Sequence, residues 1–550
     1  MKNITKNLLW IVLGILIAGI LYYIYLPAVN IHSANFWFFL MGLLIVCMLI
    51  YGFKKAGRQF LLTEGRQLRL NLDFQEMKGL KYMGILLIAV FLVYLVGSIL
   101  SSTIVNAGKY QQLLTIEERN FAADIKEADY NTIPLLDKGS AALLGNRKMG
   151  SLVDMVSQFE VSNDYTQINY QGKPVRVTPL SYASPIKWLT NQKKGIPAYI
   201  LIDMATQDTE CVKLPEGIKY SKSEYFNRNL YRHLRFRYPT YIFDDQLFFE
   251  IDEEGTPYWV CPVKKFNIGL FGGQTVGNVV LCNAVTGECV DYQVEDVPQW
   301  VDKVYSAELL TRLYDYSGIL RHGFLNSVLG QRDCLQSTNG YNYIALDDDV
   351  WVYSGVTSVS GDQSNVGFVL MNQRTMETRF YKVEGAIEDS AMSSAEGQVQ
   401  NLGYVATFPL LLNIADEPTY FMALKDASGL VKKYAMVNVQ KYQWVAIGDT
   451  IQECEKSYSE LLNTNGIISR NADQIKTVSG TVEAIAPIVL EGTTHYYICL
   501  EGVEDLFDVD MSNEDLIEVI RYQPGERITL GYTEGYGLHS VKEIGGPKRG

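Results

Sequence analysis

Gly277–Asp296 reads GNVVLCNAVTGECVDYQVED, and this stretch decides the fold class. Val279–Leu281 is an apolar run rich in β-branched residues, and Asn283–Gly287 holds residue types that favour tight turns. Glu288–Val294 then alternates apolar and polar residues, as a half-buried strand does. The stretch therefore predicts a β-hairpin, with a strand, a tight turn and a returning strand.

Similar hairpins are predicted at three other places in the chain. In the clearer copies an apolar strand meets Asp or Asn, then Thr, then Glu and a second strand, while the weakest copy has its turn at Asp426–Gly429. The four copies are Ala198–Leu214, Gly277–Val294, Gly367–Val383 and Tyr420–Val439. Helix-forming stretches follow them at Ser223–Arg237, Val297–Tyr316, Ala386–Leu402 and Thr450–Leu462. The sequence predicts an α+β fold of tandem antiparallel sheets, each with a helix covering its apolar face.

The clearest hairpin resembles the last strands of PepSY domains, which are small extracytoplasmic α+β modules. Their recurring sequence pattern is an apolar strand, Asp or Asn, a turn ending in Thr-Gly-Glu, and a valine-rich strand. The match is best over Val279–Tyr292 and weaker at Leu201–Val212, and the other two copies lack the triplet. The resemblance implies a location in the cell envelope and a role in binding or restraining another protein, sometimes a peptidase. It implies no catalytic residues.

Three apolar stretches near the N-terminus predict transmembrane helices, at Leu8–Leu26, Phe36–Phe53 and Tyr82–Ile104. Each is about long enough to cross a hydrocarbon core of roughly 30 Å. The first lacks the small-residue cleavage site of a signal peptide, so we expect it to be retained. None of the three contains Asp, Glu, Lys or Arg, which favours an anchor over a transporter.

The orientation follows from the charged loops. Basic residues are concentrated in the loop 54–81, whereas the loop after the first span has none. The positive-inside rule therefore predicts a multi-pass protein of the plasma membrane with a cytoplasmic N-terminus, a cytoplasmic loop 54–81 and extracytoplasmic residues 105–550. The net charge is −13, and because residues 1–104 are basic, the rest is more acidic still. That acidity disfavours nucleic acid as a partner.

The pattern predicts six segments, and the anchor formed by residues 1–104 is the first. They continue with a helical stalk at 105–164, built from Tyr110–Lys126 and Leu135–Phe159, two pairs of α+β repeats at 165–330 and 331–462, a linker at 463–477 and a small β-barrel at 478–545. Five short strands with one helix, Asn513–Ile520, suggest a barrel of OB type. Its strands are predicted at Val478–Ile485, His495–Leu500, Leu506–Val509, Arg527–Tyr532 and Leu538–Ile544.

The eight cysteines include no C-x-x-C motif and no zinc spacing. If the turn is centred on Val285 and Thr286, Cys282 and Cys289 face each other across the hairpin, and a disulfide between them is geometrically allowed. Such a short loop would add about 2 kcal/mol. The alternative is two reduced cysteines that act as small apolar strand residues.

Other candidate sites lack the partners that their chemistry needs. Ser184 and Lys187 match the S-x-x-K of penicillin-binding enzymes, but the S-D-N and K-T-G partners are missing. The glycine-rich loop Gly269–Gly277 lacks the Lys and Ser or Thr of a phosphate loop. The acids Asp347–Asp349 and Asp252–Glu254 could bind calcium, but adjacent acids do not converge on one ion, so turn formation is favoured. The histidines His32, His233, His322, His495 and His539 are isolated, so no metal or cofactor site is predicted.

These observations predict a non-enzymatic, membrane-anchored protein of a bacterial envelope. Its extracytoplasmic repeats would bind another envelope protein or a surface polymer, its spans would contact lipid, and self-association into a homo-oligomer is compatible with the pattern. One alternative is a subunit of a multi-protein membrane complex for secretion or transport. The other is an envelope hydrolase or a peptidase regulator, for which Ser184 and Lys187 are the only candidate residues.

Overall fold

The protein has a mixed α/β fold that forms two compact units. The first comprises Met1–Leu412 and Pro418–Val445, and the second comprises Asn413–Glu417 and Ala446–Gly550. In the computed structural model the described residues are 2–60, 78–126, 133–134, 136–346, 348–359, 364–465, 476–490, 493–503, 505–511, 514–533 and 538–545.

The N-terminal region consists of three long helices, α1 (Lys2–Tyr25), α2 (Ala34–Phe60) and α3 (Lys78–Leu100). Two of them contain stretches long and apolar enough to cross a membrane, Ala34–Gly52 and Lys78–Leu100, and only 6% of each stretch is buried. These are therefore not core helices of a soluble fold. The described apolar part of α1 is shorter, at Val12–Tyr25. Most of the predicted cytoplasmic loop, residues 61–77, lies outside the described residues.

The segment after α3 is only partly helical. It holds α4 (Thr103–Gln111), β1 (Ile116–Arg119), α5 (Phe121–Asp124) and α6 (Lys138–Gly150). The third apolar helix ends at Leu100 and not at Ile104, because a new helix begins after Ser102. The predicted helical stalk at 105–164 is therefore wrong at Ile116–Arg119, where β1 is a strand.

The first two sheets are antiparallel and built from consecutive strands. The first sheet contains β2 (Phe159–Val161), β3 (Thr166–Tyr170), β4 (Lys173–Tyr182), β5 (Ile196–Asp203) and β6 (Thr209–Ile218). In the sequence, α7 (Pro185–Asn191) lies between β4 and β5, and α8 (Leu230–Arg237) follows β6. The second sheet contains β7 (Phe248–Ile251), β8 (Pro257–Ile268), β9 (Gly272–Asn283) and β10 (Cys289–Gln293). After it come α9 (Ala307–Ile319), α10 (Gly323–Leu325) and a π-helix at Asn326–Gly330.

The third sheet explains the strand β1. It contains β11 (Leu335–Ser337), β12 (Asn342–Leu346), β13 (Asp349–Ser358), β15 (Gly367–Asn372) and β16 (Thr378–Tyr381), with the two-residue strands β14 (Ser364–Asn365) and β17 (Gly385–Ala386) paired separately. β1 lies parallel to β16 at its edge, with Ile116 opposite Thr378. The helix-favouring composition of β1 is overridden because its backbone is paired with this distant strand.

The remaining elements are α11 and the strands and helix that follow it. They are α11 (Glu388–Gln398), β18 (Val405–Ala406), β19 (Leu410–Ile414), β20 (Glu417–Lys425), β21 (Val431–Asn438), β22 (Val445–Gly448) and α12 (Ile451–Thr464). The strands β18, β20 and β21 belong to the fourth sheet. α12 is capped at its N-terminus, since the Thr450 hydroxyl accepts from the Glu453 N–H in a complete capping box.

The four predicted hairpins are present as β5–β6, β9–β10, β15–β16 and β20–β21. The first three share one turn, in which the Asx carbonyl or carboxylate oxygen at the strand end accepts the N–H groups two and three positions ahead. Those residues are Asp203, Asn283 and Asn372, with donor distances of 2.8–2.9 Å. The side-chain oxygen of the Asp or Asn residue thus acts as the hydrogen-bond acceptor for the N–H groups of the turn.

The equivalent turn in the fourth sheet lies one strand later than predicted. There Asn438, at the end of β21, accepts from the N–H groups of Gln440 and Lys441 at 3.1 and 2.8 Å. The turn at Asp426 instead closes β20–β21 through bonds from the N–H groups of Ser428 and Leu430. The fourth hairpin is therefore real, but its turn is not the counterpart of the other three.

Each sheet is joined to the next by the same backbone contact. The carbonyl that follows the Asx residue accepts an N–H from the segment that leaves the preceding sheet. The three bonds are Tyr220 N–H to Ala284 O at 2.9 Å, Tyr305 N–H to Gln373 O at 2.7 Å and Ala386 N–H to Val439 O at 2.8 Å. The turns therefore hold successive sheets together as well as closing hairpins.

The second sheet is buried on both faces. Trp259 and Cys282 point into a core shared with the first sheet, α6 and α8. Val260 and Leu281 point into a second core shared with α9 and the third sheet. The alternation along β8 and β9 thus places successive residues in different cores.

The C-terminal unit contains the predicted small barrel. Its strands are β23 (Lys476–Leu490), β24 (Thr493–Leu500), β25 (Leu506–Asp510), β26 (Arg527–Thr533) and β27 (Leu538–Gly545), closed in the order β23-β24-β25-β27-β26. A 3-10 helix at Glu514–Arg521 stands between the third and fourth strands. The predictions of five strands and one intervening helix are confirmed.

Candidate functional site

Cys282 and Cys289 lie directly opposite each other in the β9–β10 pair. The Asn283 N–H donates to the Glu288 carbonyl at 2.8 Å, which makes that the hydrogen-bonded pair and leaves the two cysteines in the adjacent non-hydrogen-bonded pair. Side chains approach most closely at such positions. Both thiols are free in this structure. The predicted facing of the cysteines is confirmed, and the disulfide between them stays a prediction.

A third side chain, His233, completes the cluster from α8. The Asn229 side chain caps this helix by accepting from the Arg232 N–H at 3.4 Å. One ring nitrogen of His233 lies 2.8 Å from the Gly287 carbonyl oxygen, and the ligand atoms of His233, Cys282 and Cys289 are all within 4.8 Å of one another. The sequence interpretation of His233 as isolated is wrong, because only the packing of α8 on the hairpin brings it to the thiols.

The three groups perturb one another's protonation. The Cys282 thiol and then His233 hydrogen-bond to Cys289 and lower its pKa, so the thiolate charge is favoured there. The same thiol–thiol bond, followed by burial, raises the pKa of Cys282. The bond to Cys289 raises the pKa of His233 above its usual value, against the effect of burial. The cluster therefore favours a thiolate at Cys289 beside a proton donor on each side.

The surroundings of the cluster fix its geometry. The Tyr220 ring packs on the His233 ring with centroids 4.5 Å apart. Gly287 has φ +76° and lies against that ring, so a Cβ there would be 2.3 Å from a Tyr220 carbon. Cys282 is fully buried and Cys289 is 8% exposed. Glycine is therefore required at this turn both by the left-handed backbone and by the close aromatic ring.

Ser184 is a helix cap in the structure. Its hydroxyl accepts from the Lys187 N–H at 3.3 Å, and Pro185 occupies the first turn of α7. It also lines a cavity of about 490 Å³ with Lys222 and Glu224. Glu224 accepts hydrogen bonds from the Tyr182 hydroxyl and the Trp188 indole, both at 2.7 Å, and burial raises its pKa.

The acidic candidates for calcium are engaged separately. Asp348 accepts from the Asn169 side chain at 2.6 Å, whereas Asp349 pairs with Arg374 at 2.7 Å. Asp252 accepts the N–H groups of Glu254 and Thr256 and so forms a turn. Asp347 lies outside the described residues.

The glycine-rich loop contacts the end of the third apolar helix. The Ser101 hydroxyl accepts from the N–H groups of Leu270 and Phe271 at 2.9 and 3.1 Å, and it donates to the Gly97 carbonyl at 2.6 Å. Gly272 lies so close that a Cβ would be 2.2 Å from the Ser101 carbonyl oxygen. This loop therefore attaches the second sheet to the apolar helices and does not bind phosphate through a helix N-terminus.

A buried acidic pair lies where three sheets meet. Glu250 of β7 accepts from the N–H groups of Asp302 and Lys303 at 2.9 and 3.0 Å, and Asp302 accepts from the Asn169 N–H of β3 at 2.6 Å. The Lys303 ammonium stands 4.2 Å from the ring centroid of Tyr343 in β12. Burial raises the pKa of Glu250 to about 7.

Comparison with known proteins finds no family profile and no curated protein that matches the chain. Two of the solved structures that align with it are an ACO/RPE65 chimera and a mutant of Synechocystis apocarotenoid oxygenase. Both are 10% identical, with TM-scores of 0.13 and 0.14, and the alignments cover 70% of this chain. The chain spans less than two thirds of either structure, 64% and 65% respectively.

The expectation of a non-enzymatic protein is corrected by this comparison, since one of the two structures is named as an oxygenase and the other as a chimera containing ACO. That expectation is withdrawn. Similarity at these TM-scores transfers no oxygenase activity and no site to this chain.

Proposed function

We propose that this chain is a membrane-anchored protein of a bacterial envelope whose extracytoplasmic sheets bind a protein partner. The observation that carries the proposal is an exposed apolar patch on the first sheet, formed by Ile186 and Leu189 of α7 together with Tyr225 and Phe226. The exposed fractions of Ile186, Leu189 and Phe226 are 72%, 60% and 62%. Large apolar side chains exposed on neighbouring segments are typical of an interaction surface.

The patch is held in place by its own packing. The Trp188 ring lies 4.7 Å from the Tyr225 ring and 5.9 Å from the Phe226 ring, and its indole N–H is bound by Glu224. Phe226 has φ +51°, a left-handed conformation that costs free energy for a bulky residue. Strained backbone of this kind tends to occur where function requires a particular side-chain position.

The membrane location is supported by the two exposed apolar helices and by their attachment to the sheets. The Val29 N–H donates to the Pro239 carbonyl at 2.8 Å, and Arg235 donates to the Leu26 carbonyl at 2.9 Å. Together with Ser101 these contacts fix the sheets at one end of the helices. An extracytoplasmic sheet domain on three spans, with the loop 54–81 in the cytoplasm, remains our proposal for the topology.

The architecture of the sheets also bears on the partner surface. The shared Asx turns and inter-sheet bonds support tandem repeats, and sheets of consecutive antiparallel strands are the units of β-propellers. The hydrogen bonds that connect the first and second sheets through Asp302 and Glu250 favour sheets packed on one another over separate PepSY-like modules. Kinship with PepSY domains stays a prediction. For the barrel, we propose the OB type from its strand order.

Photo-crosslinking from the patch tests the proposal. A crosslinking amino acid at Phe226 or Leu189 in the full-length chain is expected to trap one protein of defined mass in native membranes. The control carries the same group at Val405, which is 61% exposed and belongs to β18 of the fourth sheet. Identical products from both positions, or trapping of carbohydrate polymer alone, would contradict a protein partner at this patch.

A further inference from the structure

We propose that His233, Cys282 and Cys289 form a metal site for a thiophilic cation of the Zn²⁺ type. The site goes beyond the proposed partner binding and does not depend on it. Its first support is geometric, since three ligand atoms from two separate elements converge to within 4.8 Å. A zinc ion with Zn–S bonds of about 2.3 Å and a Zn–N bond of about 2.0 Å needs separations of roughly 3.5–3.8 Å in tetrahedral geometry. A contraction of at most about 1.3 Å from the present separations completes the site.

The second support is charge. Two thiolates neutralise a divalent cation, and a neutral imidazole adds no charge, so the occupied site has no net charge. That matters because Cys282 is fully buried and Cys289 nearly so, and an uncompensated buried charge is costly. Metal binding would release the thiol protons, and the imidazole would keep one ring N–H.

The third support is the fixing of the imidazole. Metal-bound histidines commonly donate their other ring N–H to a backbone carbonyl, which orients the ring and selects its tautomer. Here a ring nitrogen of His233 is 2.8 Å from the Gly287 carbonyl, and the Tyr220 ring covers the imidazole. Neither a disulfide nor two reduced cysteines packed in the core would require the His233 ring to be held in this orientation.

The histidine also distinguishes this cluster from the other described cysteines. Cys211 occupies the equivalent hairpin of the first sheet, opposite Ile200, and therefore has no thiol across the strand pair. The three ligands leave the fourth position of a tetrahedral ion to a small ligand such as water. Soft sulfur donors with imidazole favour zinc or copper(I) over magnesium or calcium.

The test is zinc content of the full-length chain purified in detergent under reducing conditions and dialysed against a weak chelator. One zinc ion per chain is expected for the wild type, with at least a tenfold loss in Cys289→Ser and His233→Ala. The matched control Cys211→Ser is expected to keep the full content. Because a variant could fail to fold, the wild type is also titrated with Co²⁺, which should produce a sulfur-to-metal charge-transfer band and tetrahedral d–d bands.

Three results would overturn the proposal. One is a reduced protein with all eight thiols titratable that binds neither Zn²⁺ nor Co²⁺. A second is a protein that binds no metal after reduction and that, as isolated, lacks two titratable thiols mapped to Cys282 and Cys289. That result would establish the disulfide instead. Metal retained equally by the wild type and His233→Ala would likewise exclude the imidazole as a ligand.

Discussion

At the scale of single residues, the cost of replacing a glycine depends on what the new side chain would contact. Gly287 and Gly172 have almost the same backbone, with φ +76° and +74°. Gly287 lies against Tyr220, whereas a Cβ on Gly172 would meet nothing within 4 Å. The two glycines therefore separate the cost of backbone strain from the cost of a steric contact.

Alanine substitutions at these glycines are expected to differ in stability. Gly172→Ala should lower the free energy of unfolding by about 1 kcal/mol, from the left-handed backbone alone. Gly287→Ala should cost about 2 kcal/mol more, because Tyr220 must move away from His233. Thermal unfolding of the full chain in detergent, followed by tryptophan fluorescence, measures both. Equal losses would show that Tyr220 yields without cost.

Glu250 is a second residue whose behaviour follows from burial. Desolvation raises its folded-state pKa to about 7, against the lowering effects of two backbone N–H groups and Lys303. The unfolded value is near 4.5, so the folded state binds more protons between these two pH values. Stability from this group is therefore greatest at low pH and falls as the pH rises through about 7.

The expected change for Glu250 is a loss of at most about 3 kcal/mol between pH 5 and pH 8. Glu250→Gln mimics the protonated carboxyl and should flatten this part of the stability profile, even though it changes the hydrogen bonds at every pH. Denaturation at four pH values between 5 and 8 compares the two slopes. Parallel profiles would mean that Glu250 does not titrate in this range.

At the scale of elements, the same chemistry is used at several turns and junctions. Asx side chains close the turns of the first three sheets, and the residue after each one binds the segment from the preceding sheet. Local hairpins are in this way connected into a larger structure. The glycine-rich loop does the same between the second sheet and α3, through Ser101.

Removal of the Ser101 hydroxyl is expected to weaken this junction. Ser101→Ala leaves the N–H groups of Leu270 and Phe271 without their acceptor, at a cost of about 1–2 kcal/mol in the free energy of unfolding. Ser102→Ala is the matched control, since that exposed hydroxyl bonds only to the Ile99 carbonyl among the contacts described. Thermal unfolding in detergent should separate them. A control as destabilised as Ser101→Ala would remove the loop contact as the cause.

At the scale of the whole molecule, the two exposed apolar helices dominate the expected behaviour. A soluble fold buries such helices, but only 6% of each apolar stretch is buried here. The exposed apolar surface needs lipid or detergent to be stable in water. The acidic sheets and the apolar helices consequently require different environments.

Extraction tests this division. The full chain is expected to remain with the membrane after washing at high salt and alkaline pH, and to be released by detergent. A variant that begins at Ser102 should lose the tight association, because it lacks α1–α3. Release of the full chain by alkaline washing alone would contradict an integral anchor. Protease added to intact cells should cut the sheets if they are extracytoplasmic, as we propose.

The local elements follow from the amino-acid sequence alone, because their causes are local. Alternating strands with an Asx-Thr turn predicted the hairpins, helix-forming composition predicted the helix at Thr450–Leu462, and five short strands predicted the barrel. Apolar runs predicted exposed helices in the same way, and the structure places two long enough to span a membrane.

Contacts between distant segments, in contrast, arise only in the folded chain. The strand β1 exists because β16 pairs with it, and the fourth Asx turn was recognised at Asn438 only once β20 and β21 were placed. His233 reaches Cys282 and Cys289 because α8 packs on the hairpin. Composition and spacing describe neighbours along the chain, whereas pairing and packing are determined by neighbours in space.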